Sequence, residues 1–150
     1  MKKLLFREIN KCPASFFIIG IWSLLFLINY SINIADILCG KGINIIGNDY
    51  YRFATATFIH FNLIQLIANI AALYWVGVFL EQQLSFKEFI VFGILVSTIT
   101  QISFSCIYTE SYSFGGSPFV FGMIGLIVSL QLFCKDFQRF QLGILWRGKV

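Results

Sequence analysis

The sequence predicts an all-α polytopic membrane protein, and three observations carry that reading. Its 150 residues are 58% hydrophobic and 12% charged, whereas soluble domains hold about a quarter charged residues. Four stretches, at about 13–35, 61–80, 89–108 and 118–134, contain no Asp, Glu, Lys or Arg. Each falls within the roughly 17 to 25 residues that a membrane helix uses. Finally, nine of the eleven Lys and Arg residues sit before the first stretch, at Lys87, or after the fourth, leaving only Lys41 and Arg52 for the other side. The positive-inside rule then puts both termini in the cytoplasm. The net charge of +4 is explained by that topology, so no nucleic-acid partner is expected.

The first stretch begins at Pro13, behind Lys2, Lys3, Arg7 and Lys11. It is too long for the apolar region of a secretory signal and lacks an A-x-A cleavage site, so it reads as a retained helix. A connection of about 25 residues follows on the outer side, unusually long for a compact bundle. Its apolar run at 43–46 and the aromatic pair Tyr50 and Tyr51 beside Arg52 predict an element partly embedded at the headgroup interface. The second stretch carries Gln65 and Asn69 one turn apart, hence on one face near its outer end. Polar groups inside a span are costly, so Gln65, Asn69, Ser97, Thr98, Thr100 and Gln101 should face protein or water.

Small residues at four-residue spacing, Ala68 and Ala72 in the second stretch and Gly125 and Ser129 in the fourth, predict close contact between these two helices. The third stretch follows a short inner turn around Lys87, and a short outer turn at 110–116 leads to the fourth. Cys12, Cys39, Cys106 and Cys134 show no metal-binding spacing. Labelling from outside is expected to reach Cys39 more readily than Cys12 or Cys134. No internal repeat or linker divides the chain, which reads as one domain over 1–150.

The candidate chemistry sits at the start of the fourth stretch, in Gly115-Gly116-Ser117-Pro118. A glycine turn entering a helix presents backbone N–H groups and the positive end of the helix dipole to an anion. Such a place suits an oxyanion formed when a serine attacks a carbonyl. The same residues also fit an ordinary helix start, with Ser117 as N-cap and Pro118 at the first helical position. Asn62 and Gln65 likewise fit a variant capping box, and Asn69 alone would be plain interhelical glue.

The conjunction is more specific. Tyr51-Arg52 with Thr55, Phe58 and His60, then Asn69, Gly77 and Glu81, then Gly115-x-Ser117 with Phe121 and Gly125, resembles the rhomboid family of intramembrane serine proteases in order and spacing. That resemblance implies a rhomboid-like helical bundle represented by its first four transmembrane helices, in a membrane such as the bacterial inner membrane. It implies Ser117 as nucleophile and Asn69, with the backbone N–H of Ser117, as oxyanion donors. Gln65 stands where members usually carry a second histidine, and its amide can also donate. His60, Arg52, Gly115 and Glu81 would be structural or supporting. Tyr51 replaces the family's usual tryptophan, and Pro118 replaces a glycine.

The implied substrates are transmembrane proteins, cut in or near their helices within the lipid bilayer, with no cofactor and no metal. The family's base is a histidine on a later helix, whereas the only histidine here is His60. The chain is therefore expected to be truncated at its C-terminus and to cut little by itself. Alternatives are an inactive rhomboid-like pseudoprotease that binds membrane helices, and a small transporter subunit. Transport would spread polar residues through the full depth, whereas here they gather toward the outer half of the second stretch.

Overall fold

The computed structural model describes residues 11–133. Within them α1 (Pro13–Ile32), α4 (Leu63–Leu80) and α5 (Phe86–Ile107) are each long and apolar enough to cross a membrane, and α6 (Ser117–Phe133) is a shorter apolar helix. The connection between α1 and α4, called outer for the side that the charge distribution predicts, is built from α2 (Ala35–Leu38), β1 (Gly40–Lys41), α3 (Arg52–Thr55) and a 3-10 turn (Ala56–Phe58). A second two-residue strand, β2 (Tyr112–Ser113), precedes α6. The protein is thus an all-α membrane bundle with one small β pairing. Cys134 and the basic residues before Lys11 and after α6 lie outside the described residues.

Local chemistry sets the helix ends. Asn33 terminates α1 in the left-handed conformation (φ 47°), which asparagine tolerates, and Asn29 Oδ1 accepts from Ala35 N at 2.7 Å. The first helix therefore stops at Ile32, short of 35. In contrast, α5 starts at Phe86, before the uncharged stretch begins, because Ser85 and Glu88 form a reciprocal capping box. The N-terminus of α1 has no side-chain cap of its own. Glu81 supplies one from the end of α4: its carboxylate accepts from Ala14 N (2.7 Å), Ser15 N (2.8 Å) and Ser15 Oγ (2.6 Å). A carboxylate at a helix N-terminus also opposes the positive end of the dipole.

The core runs between the helices from Ile18 and Trp22 of α1 through Leu73 of α4 and Phe89 of α5 to Phe119 and Met123 of α6. α1 packs along α4, and α6 along both α5 and α4. The second and fourth predicted spans do touch, but not through the expected small residues. Ala68 is exposed, and a Cβ at Gly125 would meet nothing within 4 Å. The close approaches are elsewhere. Ser15 sits on Gly77, the Phe119 ring lies on Gly93, and Val96 fills the space beside Gly122. Spacing alone could not distinguish these, because each glycine is matched to one particular partner on a distant segment.

Of the polar residues expected to avoid lipid, Asn69, Ser97 and Gln101 are buried. Thr100 is exposed instead, and its hydroxyl is satisfied by donating to Val96 O at 2.9 Å.

Arg52 organises the outer connection. Its guanidinium is buried, with Nε donating to Asp49 Oδ2 at 2.9 Å and Nη1 to the carbonyls of Asp36 (2.8 Å) and Cys39 (3.3 Å). Thr55 Oγ1 adds a bond to Leu38 O at 2.9 Å. Ile37, Ile43, Tyr50 and Phe61 project outward, a surface that suits the headgroup region. Cys39, expected to label more readily than Cys12 or Cys134, is buried here under Arg52, and burial pushes its thiol pKa above the ordinary value, against the opposing pull of Arg52 and Lys41. Cys106 is the exposed outer thiol.

Candidate functional site

Three elements converge where α6 begins. β2 pairs antiparallel with β1, Gly40 opposite Ser113 and Lys41 opposite Tyr112, so the outer connection holds the segment that leads into Ser117. Gly115 N donates to Ala56 O at 3.1 Å. On the other side, Gln65 Nε2 donates to Phe114 O at 3.2 Å. Gly115 adopts φ +112°, a conformation that disfavours any residue with a Cβ, and a Cβ there would collide with Gln65 Nε2 and lie 3.8 Å from Asn69 Nδ2. The Gln65 amide therefore stands where a Cβ would be, with the Asn69 amide close behind it.

Ser117 is the first residue of α6, and Val120 N bonds to Gly116 O at 3.1 Å, which makes Gly116 the capping position. The hydroxyl of Ser117 does not cap the helix. It donates to Asn69 Oδ1 at 3.2 Å. Gln65 does belong to a cap, since its N–H donates to Asn62 Oδ1 at 2.8 Å, and its Oε1 reaches back to Phe61 N at 3.1 Å. Its side chain thus ties the start of α4 to the loop before α6. The structural and the functional readings of Gln65 are compatible, because the capping uses its oxygen and leaves its nitrogen for the loop.

His60 is buried beneath this cluster, edge-on to Trp22 with ring centroids 5.0 Å apart. Its Nε2 is 3.0 Å from Asn69 Nδ2 and accepts from Gly116 N at 3.2 Å. Burial pushes its pKa down from 6.5 to about 4, an effect the Phe58 backbone offsets only in part. The ring is neutral at pH 7. Three buried polar atoms, His60 Nδ1, Trp22 Nε1 and Thr57 Oγ1, have no hydrogen-bond partner among the described residues.

Ser117, Asn69, Gln65, His60 and Gly115 are therefore brought together. Arg52 lies in the outer connection and acts on that scaffold, whereas Glu81 is at the inner end of α4, far along the helix from Asn69. A groove of about 340 Å³ opens beside Ser117, lined by Gln101, Phe104, Tyr112, Ser113 and Pro118 among others. Ser113 and Gln101 were not singled out in the sequence as a pair, yet Ser113 Oγ donates to Gln101 Oε1 at 2.5 Å on the wall of that groove. No group of His, Cys, Asp and Glu side chains among the described residues could hold a metal ion.

A bundle of apolar helices with a serine at a helix start, hydrogen-bonded to an asparagine of a neighbouring span, defines an integral membrane protein with a polar site set among its helices. The chain belongs to the rhomboid family: the family model for the Rhomboid domain matches residues 47–146, two thirds of its length. Proteins of this family work in a lipid bilayer. A search of curated proteins found no match.

Proposed function

We propose that this chain is a rhomboid-type intramembrane serine protease with Ser117 as nucleophile, both termini cytoplasmic and the site opening toward the outer face. The observation that carries the reading is the Ser117 hydroxyl bonded to Asn69 beside Gly115, where the Gln65 and Asn69 amides gather. In the reaction, Ser117 Oγ adds to the carbonyl carbon of a peptide bond in or near a substrate's transmembrane helix while its proton passes to a base. The carbonyl oxygen becomes an oxyanion received by N–H groups of Ser117, Asn69 and Gln65. Collapse expels the amine with a proton and leaves an acyl-enzyme, which water then hydrolyses.

One observation favours a second reading, a pseudoprotease that binds membrane helices. His60 is the chain's single histidine, and its Nε2 lone pair is already engaged by Gly116 and Asn69. It is not free to take the proton of Ser117. Without a base the step slows by about 10² to 10⁴.

Reconstitution of the purified chain with a model transmembrane substrate distinguishes the two. Photo-crosslinking from the substrate helix to the groove beside Ser117 is expected in either case. Cleavage abolished by Ser117→Ala supports the protease, and crosslinking without cleavage supports the pseudoprotease. Neither crosslinking nor cleavage rejects both.

A further inference from the structure

A backbone N–H can only donate, so the bond from Gly116 N to His60 Nε2 at 3.2 Å fixes the tautomer of the ring. Nε2 is bare, and Nδ1 carries the hydrogen. A bare Nε2 lying 3.0 Å from the Asn69 amide has to meet its nitrogen, because an amide oxygen there would set lone pair against lone pair. With Nδ2 committed to that side, Oδ1 is the atom left to face Ser117, and it accepts from the hydroxyl at 3.2 Å. The orientation of the asparagine is therefore decided at Gly116.

We propose that His60 is a positioning residue for the Ser117–Asn69 pair: held as a bare-Nε2 imidazole by Gly116 N–H, it sets the direction of the Asn69 amide and through it the rotor of the Ser117 hydroxyl. Only the catalytic meaning of this lock rests on the protease reading, since the lock itself is a matter of hydrogen-bond geometry. An Asn69 amide so oriented keeps its second N–H on the side of Gly115, where Nδ2 is 3.8 Å from the position of a Cβ. A donor is thus kept beside Gly115, while the serine proton rests on an amide oxygen, which is too weak a base to remove it. The serine is ordered but not activated.

The polar contacts of the ring argue for its specificity. Nε2 accepts from Gly116 N and lies 3.0 Å from Asn69 Nδ2. A ring present only to fill space beside Trp22 would be served equally by an apolar side chain.

Because the chain has one histidine, ¹⁵N-histidine labelling of the full chain in bicelles reports a single ring. At neutral pH the expected spectrum shows Nδ1 protonated and Nε2 bare, with a through-hydrogen-bond coupling between Nε2 and Asn69 Nδ2. A protonated Nε2, or fast averaging of the two tautomers, overturns the proposal. His60→Gln, which offers a carbonyl acceptor, is expected to keep the Asn69 side-chain amide near its wild-type shift, while His60→Leu moves it to that of a free amide. Identical Asn69 signals in both variants would also overturn it. Ser117→Ala should leave the tautomer unchanged. These spectra need no substrate, so a chain that cleaves nothing can carry the lock, and one that cleaves with Nε2 protonated lacks it.

Discussion

Acidification should destabilise this protein through one residue. His60 is 1% exposed and its pKa lies at about 4 in the folded chain, against 6.5 when solvated. Between these values the unfolded chain binds a proton that the folded chain refuses, so stability is full above 6.5, falls as pH drops, and levels off below about 4. Linkage gives a loss of about 2 kcal/mol by about pH 5 and about 3 kcal/mol by about pH 4, relative to about pH 7.5. Reversible unfolding in mixed micelles, followed by tryptophan fluorescence across this range, measures it. The comparison that isolates His60 is His60→Gln, in which the pH dependence should largely disappear even if the variant is less stable throughout. Equal stability at about pH 7.5 and about pH 5 in the wild type, or the same loss in the variant, would refute the assignment of the slope to this ring.

Other outcomes follow from the geometry. Gly115→Ala should destabilise the chain by roughly 1–3 kcal/mol through its positive φ alone, and thermal unfolding beside a Gly125→Ala control, where a Cβ meets nothing within 4 Å, would read it. Arg52→Lys should cost nearly as much as Arg52→Ala, about 2 kcal/mol or more, because an ammonium cannot reproduce the fork that reaches Asp49, Asp36 O and Cys39 O; a fully stable lysine variant would argue against it. For Glu81→Ala the loss of three hydrogen bonds at the start of α1 predicts about 2–3 kcal/mol, with Glu81→Gln intermediate in the same unfolding assay. A membrane-permeant maleimide should modify Cys106 in the folded protein and reach Cys39 only after denaturation, as peptide mapping would show.

What could be read from the sequence follows the period of the physics involved. Apolar length and charge placement need no knowledge of packing, so the spans were legible, and their ends were missed only where a local signal was overlooked: Ser85 and Glu88 form a capping box that placed the start of α5 three residues early. The close contacts were not legible. Gly77, Gly93 and Gly122 receive Ser15, Phe119 and Val96, pairings across distant segments that no spacing within one helix encodes. At the site, the residues that converge were all visible in the sequence, but the role of His60 was not, since it depends on the direction of one backbone N–H. Ser117 illustrates the same limit. Serine followed by proline is a sound helix-start signal and the helix does begin there, but Gly116 takes the capping position, and the Ser117 hydroxyl donates to Asn69 Oδ1 instead.

The rigidity of the site therefore comes less from the helices than from the outer connection. Ala56 O and His60 Nε2 each accept one bond from the segment 114–116 and Gln65 Nε2 donates one to it, and two of these three groups lie before α4 begins. The connection is in turn held by Arg52 and by the β1–β2 pairing. A perturbation at Arg52 thus reaches Ser117 through Ala56 and His60 without any change in helix packing. Arg52→Ala should consequently loosen the Asn69 amide signal as well as lower stability, whereas Glu81→Ala, acting at the inner end, should lower stability by a similar amount and leave that signal in place. Equal loosening in both variants would mean that the bundle as a whole, and not the outer connection, holds the serine.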